Sequence, residues 1–145
     1  MRELVKRAAL MGVRVHVAHL EQGVMGEWYA SEREVYVDLR LSPIEQRCTL
    51  AHELGHAYHG HHLCEERSGA EDQADTFAAQ LLIDPDLYAS LERAGLSHHD
   101  IAEEIGVTEE LLHVFMQRCL TKVDGVTYVH ARMGARQWEH RINVA

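Results

Sequence analysis

Ser42-Pro43-Ile44-Glu45 opens a segment that runs to Gly60 and contains Leu50-Ala51-His52-Glu53-Leu54-Gly55-His56-Ala57. Ser42 is an N-cap residue, Pro43 suits the first helical position, and Glu45 completes a capping box. The spacing predicts a helix ending near Gly60. Within it stands an H-E-x-x-H pattern. Residues i and i+4 share one face of a helix, one turn apart, so His52 and His56 can reach one metal ion. Glu53 is offset by one residue, close to that ion but free to act on water. Leu50, Ala51, Leu54 and Ala57 make the surroundings apolar, and polar groups buried there need a partner that a metal would supply.

A catalytic zinc takes a third protein ligand and keeps a fourth position open. Two candidates lead. His62 has the metzincin spacing, but that pattern needs a glycine at 59, where this chain has His59. Glu71, near the start of the next helix, is preferred. Cys64, Glu65 and Glu66 stand behind both. Asp75 follows Glu71 by four residues on the same face and can accept a hydrogen bond from a ligand imidazole, fixing its tautomer. Glu71 also has a plainer reading, as the end of a capping box begun by Ser68. Two imidazoles and a carboxylate favour zinc over other divalent ions.

Toward the N-terminus, residues 3–11 have helical spacing and end at Gly12. Val13, Val15 and Val17 alternate with polar residues as a strand does. Residues 26–30 and 34–39 read as a hairpin around Ser31-Glu32-Arg33. After the 42–60 helix and a polar loop, a helix runs through Ile83 with Ala74, Phe77, Ala78, Leu81 and Leu82 on its apolar face. Asp84-Pro85 starts a short helix to 94. Residues 97–105 and 108–120 form a helix pair joined at Gly106-Val107, and Val126 to Arg132 has strand character. The expected class is α+β: a small antiparallel sheet packed against a zincin-like active-site helix and further helices. We read residues 1–120 as one domain and 121–145 as a tail packed on it or extending it.

The chain has 145 residues, a net charge of -9 and 12 His, five of them between His52 and His62. Apolar residues at 46% and charged residues at 26% are ordinary for a globule. The three cysteines, Cys48, Cys64 and Cys119, form no C-x-x-C pair and no disulfide framework. No stretch is apolar for long enough to span a bilayer, and the N-terminus lacks a signal-peptide core, so a cytoplasmic protein with no membrane association is expected. An acidic chain is poorly suited to displacing counterions from nucleic acid.

Residues 50–57, followed by Glu71-Asp72-Gln73-Ala74-Asp75-Thr76-Phe77-Ala78-Ala79-Gln80-Leu81-Leu82-Ile83, resemble the ImmA/IrrE-type metallopeptidases of phages, mobile elements and bacterial stress responses. The match covers 42–85. In this chain Asp84 intervenes before Pro85, and the His-rich stretch 59–62 lies outside the motif. The resemblance implies a gluzincin-like zinc endopeptidase with His52, His56 and Glu71 as ligands, Glu53 as general base and Asp75 at the family's Asn/Asp position. It also implies a protein substrate, a cognate helix-turn-helix transcriptional repressor.

Two other classes compete. Residues 97–119 resemble a helix-turn-helix, which would make a DNA-binding regulator. They carry one Arg against five acids, and the would-be recognition helix opens with Glu109 and Glu110, which phosphates repel. A packing helical hairpin is the better reading, with His98 and His99 as exposed first-turn residues behind a Ser97 cap. The other class is a metal-bound but inactive module that binds a partner; the intact Glu53 argues against it. The tail carries four Lys/Arg against two acids and includes Trp138, a composition suited to docking an acidic surface or to a solvated end.

Overall fold

The computed structural model describes residues 1–62, 67–123, 126–129 and 140–142, with side chains for 1–62 and 69–120. Its elements are α1 (Arg2–Leu10), β1 (Arg14–Ala18), β2 (Gly26–Tyr29), β3 (Glu34–Asp38), α2 (Pro43–His59), α3 (Arg67–Leu82), α4 (Pro85–Arg93), α5 (His98–Ile105), α6 (Glu109–Arg118), β4 (Leu120–Val123), β5 (Val126–Val129) and β6 (His140–Ile142). They fall into two compact units, Met1–Ala78 and Ala79–Ala145.

In the first unit the expected capping box forms in full. The Ser42 side chain accepts from the Glu45 backbone N–H, and the Glu45 carboxylate accepts from the Ser42 N–H. Two orphan donors of the first turn are thereby satisfied. Leu50, Ala51 and Leu54 are fully buried, as are Val35 and Val37 of β3. Alternation on β3 and the i, i+4 rows of α2 thus put one core between sheet and helix. Burying a Leu side chain in such a core contributes roughly 1.5–3 kcal/mol.

The sheet has order β1-β3-β2. β2 and β3 pair antiparallel, Trp28 opposite Val35, around a turn in which Arg33 adopts a positive φ of 54°. β1 pairs parallel with β3, Val15 opposite Val35 and Val17 opposite Val37. The antiparallel expectation therefore holds for the hairpin but not for β1. After β1 the chain crosses to the far edge and returns up the middle, so β3 runs the same way as β1. Both β1 and β2 are edges of this sheet.

In the second unit Asp84, Ser97 and Thr108 cap α4, α5 and α6, each accepting a backbone N–H of the first turn. Gly106, with φ of 79°, ends α5 in the left-handed conformation that glycine tolerates. Tyr88 and Phe115 meet edge to face at 5.3 Å, and Ile101 and Leu112 are fully buried. β4, β5 and β6 form a second, antiparallel sheet. Strand structure in the expected tail thus includes Val126–Val129, while Trp138 lies outside the described residues. Among the described residues no helix is long and apolar enough to cross a membrane.

Candidate metal centre

The C-terminal half of α2 carries His52, Glu53 and His56, and α3 runs alongside it. Gly55 sets how close the two helices come. A Cβ placed on Gly55 would lie 2.8 Å from the Ala74 Cα and 2.9 Å from its carbonyl oxygen, both backbone atoms. Only a residue without a side chain allows that approach. The contact sits one turn from Glu71 and beside Asp75, so it delivers both carboxylates to the histidines.

The His52 and His56 Nε2 atoms are 3.1 Å apart. The Glu71 carboxylate reaches both, with Oε2 at 3.0 Å from His52 Nε2 and Oε1 at 3.4 Å from His56 Nε2. One donor atom from each of the three residues lies within 4.8 Å of the others. Behind His52, Asp75 Oδ1 is 2.8 Å from Nδ1. A carboxylate accepts, so Nδ1 carries a proton, and when the ring is neutral its Nε2 is bare. A ring nitrogen 3.0 Å from a carboxylate oxygen needs a positive charge between them, either its own proton or a cation. A divalent cation fits that donor set, and two imidazoles with one carboxylate is a common zinc set.

Burial and charge act together on these groups. Burial alone would lower the His52 pKa, but the Asp75 hydrogen bond and the nearby Glu53, Asp75 and Glu71 charges outweigh it, and the net shift is upward. His56 is shifted down, first by burial and then by His52. Glu53 is pushed up to about 7, chiefly by burial, with Glu71 and Glu27 adding to the rise and His52 opposing it. The burial comes from β2. A Cβ on Gly26 would fall 3.0 Å from Glu53 Oε1 and 2.5 Å from Thr49 Cγ2, so the strand passes directly over the acid because residue 26 is glycine.

These groups line a cleft of about 450 Å³. His52, Glu53, His56 and Glu71 line it together with Gly26, Glu27 and Trp28 of β2 and with His61 and His62. His62 is exposed and stands outside the converging donors, whereas Glu71 is among them. Cys64, Glu65, Glu66 and the Ser68 side chain lie outside the described residues. His98 and His99 are exposed on the second unit, where His99 pairs with Glu109 and Glu103.

Sequence reading passed over His61 and the three β2 residues. His61 is buried and contacts His56, and its backbone carbonyl accepts the Trp28 indole N–H at 3.0 Å. The available signal was Gly60. A helix ending on a left-handed glycine turns the next residue back over the last turn.

The family model for the IrrE N-terminal-like domain (Peptidase_M78) matches residues 9–117. No curated protein matches the chain. Among solved structures, a Mycobacterium tuberculosis transcriptional regulator superposes with a TM-score of 0.59 at 16% identity, over 81% of this chain and 41% of that one. This chain therefore spans about two fifths of that regulator's length, and at such identity the likeness is one of fold.

Proposed function

The chain belongs to the IrrE N-terminal-like peptidase family, and from that membership and the geometry of the cleft we propose that it is a zinc-dependent endopeptidase. One observation carries the reading: His52 Nε2, His56 Nε2 and the Glu71 carboxylate converge beside the buried carboxylate of Glu53. His52, His56 and Glu71 would hold the ion. When bound, zinc supplies Lewis-acid polarisation of the scissile carbonyl and lowers the pKa of water.

The remaining steps belong to the chain's own residues. Glu53 accepts the proton of the attacking water and passes it to the departing amine. A pKa near the working pH suits a group that must take a proton and then give it up. Asp75 holds the His52 ring with Nε2 toward the centre. The open cleft beside β2 admits an extended segment of polypeptide, and the substrate we assign is a cognate transcriptional repressor. That assignment is carried by the resemblance of residues 50–57 and 71–83 to the repressor-cleaving metallopeptidases. The reaction is placed in the cytoplasm, where a transcriptional repressor works.

The test is metal content after dialysis against a mild chelator, followed by cleavage of candidate repressors. Wild type is expected to retain about one zinc per chain, Glu71→Gln to lose it and His62→Gln to keep it. Glu53→Gln is expected to keep the metal and fail to cleave. No retained metal in wild type would overturn the peptidase reading.

A further inference from the structure

The two histidines of the centre are backed differently. His52 has the Asp75 carboxylate behind its Nδ1. Behind the Nδ1 of His56, at 3.0 Å, is the Nδ1 of another histidine, His61. His61 Nε2 in turn lies 2.8 Å from Gln73 Oε1 on α3.

We propose that His61, anchored by Gln73, sets the tautomer of His56 and so presents the His56 Nε2 lone pair to the metal. The proposal rests on the metal-centre reading above. The proton order follows from the end of the chain. An amide oxygen only accepts, so the proton of neutral His61 is on Nε2 and its Nδ1 is a bare acceptor. His56 Nδ1 must then be the donor of the 3.0 Å contact. That leaves His56 Nε2 bare on the edge that faces His52 Nε2 and Glu71. His61 is not a ligand itself, because its two ring nitrogens are already engaged by Gln73 and by the far edge of His56.

The backbone explains why residue 61 and not residue 62 takes this place. Gly60 has φ of 69°. The Gly60 N–H bonds the Ala57 carbonyl at 3.3 Å, and the His61 N–H bonds the His56 carbonyl at 3.0 Å. This is the Schellman pattern, which folds the second residue past the cap onto the third from the helix end. Here those residues are His61 and His56. The Trp28 indole N–H donates to the His61 carbonyl and holds that residue's backbone in place. His56 is thereby oriented by a neutral acceptor, and the centre gains no further negative charge.

The experiment measures zinc affinity by chelator competition, together with two-bond ¹⁵N–¹H correlations of the imidazoles in the metal-free protein. The variants are His61→Phe, Gln73→Leu and Gln73→Glu. Loss of a group that orients a ligand weakens metal binding by roughly 10–100-fold. His61→Phe should fall in that range while still binding about one zinc per chain. Gln73→Leu should weaken binding in the same direction, and Gln73→Glu, which can only accept, should restore it. In wild type the His56 proton should be on Nδ1, and this preference should be lost in His61→Phe. If His61→Phe does not fold, Gln73→Leu at its exposed position carries the test. Wild-type affinity in both His61→Phe and Gln73→Leu would overturn the proposal, as would a wild-type His56 proton on Nε2. Complete metal loss in a folded His61→Phe would make His61 a ligand and would also overturn it. Wild type that retains no zinc would bring down the metal-centre reading and this proposal together, an outcome distinct from the others.

Discussion

The chain presents histidines next to carboxylates in two regions, and the distances are nearly the same. On α2 and α3, His52 Nδ1 lies 2.8 Å from Asp75. On α5 and α6, His99 Nδ1 lies 2.7 Å from Glu109. The difference lies on the other edge of each ring. The second nitrogen of His52 faces His56 Nε2 and Glu71 within a half-buried cluster. The second nitrogen of His99 faces Glu103, at 3.6 Å, on a side chain that is 62% exposed. His98 and His113 meet edge to face at 5.7 Å on the same exposed surface. Pairing a histidine with an acid therefore does not make a site. What marks one is a ring whose rear nitrogen is committed and whose front nitrogen meets other donors.

The two regions should differ most in turnover. Replacing Glu53 by Gln should lower peptide hydrolysis by roughly 10²–10⁴-fold, the contribution of a positioned general base. Replacing Glu109 by Gln should leave hydrolysis unchanged. Mass spectrometry of a cleaved peptide mixture reads both. Equal losses, or none from Glu53→Gln, would erase the distinction.

The next effect is on metal affinity. Asp75→Ala should weaken zinc binding by about 10–100-fold, because the ring of His52 loses the acceptor that fixes its proton. Glu103→Gln should change nothing. The same contrast appears in melting experiments, where zinc at 100 times its Kd should stabilise wild type by about 2.7 kcal/mol. A protein lacking His98, His99 and His113 should gain as much, whereas His52→Gln should gain almost nothing.

Gly55→Ala tests the role of helix spacing alone, since it replaces no charged group. Alanine in a helix interior gains about 0.5–1 kcal/mol over glycine. Forcing a methyl against the Ala74 backbone costs about 1–3 kcal/mol as overpacking. The net expectation is a loss of about 1 kcal/mol in chemical denaturation, with weaker zinc binding as α3 carries Glu71 away. Unchanged affinity would mean that helix spacing does not control the cluster.

How much of this was legible beforehand follows from range along the chain. The α2 helix, its capping box and its Gly60 terminus are local, and Ser42, Pro43, Glu45 and Gly60 announce them. His52 and His56 follow from one helical turn. Glu71 and Asp75 were legible as one face of a second helix. That this face meets the histidines depends on Gly55 against Ala74, a contact no spacing reveals. His61 is not legible from ligand spacing, because it reaches His56 through the Schellman turn at Gly60. The parallel course of β1 was missed because strand alternation carries no direction. Gly26 and Trp28 reach the site only through sheet order, with β2 at the edge lying over Glu53.

The smallest expected effect concerns His99, and its sign separates the two regions once more. The Glu109 hydrogen bond, then the Glu103 and Glu109 charges, raise the His99 pKa above its ordinary value. A group whose folded pKa is raised contributes stability that is fully present below the unfolded value near 6.5 and is lost as pH rises through the folded value. His99→Gln should therefore lower the melting temperature at pH 5.5 and leave it nearly unchanged at pH 9. Salt should shrink the difference at pH 5.5, since the pair is exposed and screened. Zinc affinity should not move at either pH. A His99→Gln protein with altered zinc binding would show that the exposed histidines take part in holding the metal, and the line between the two regions would have to be redrawn.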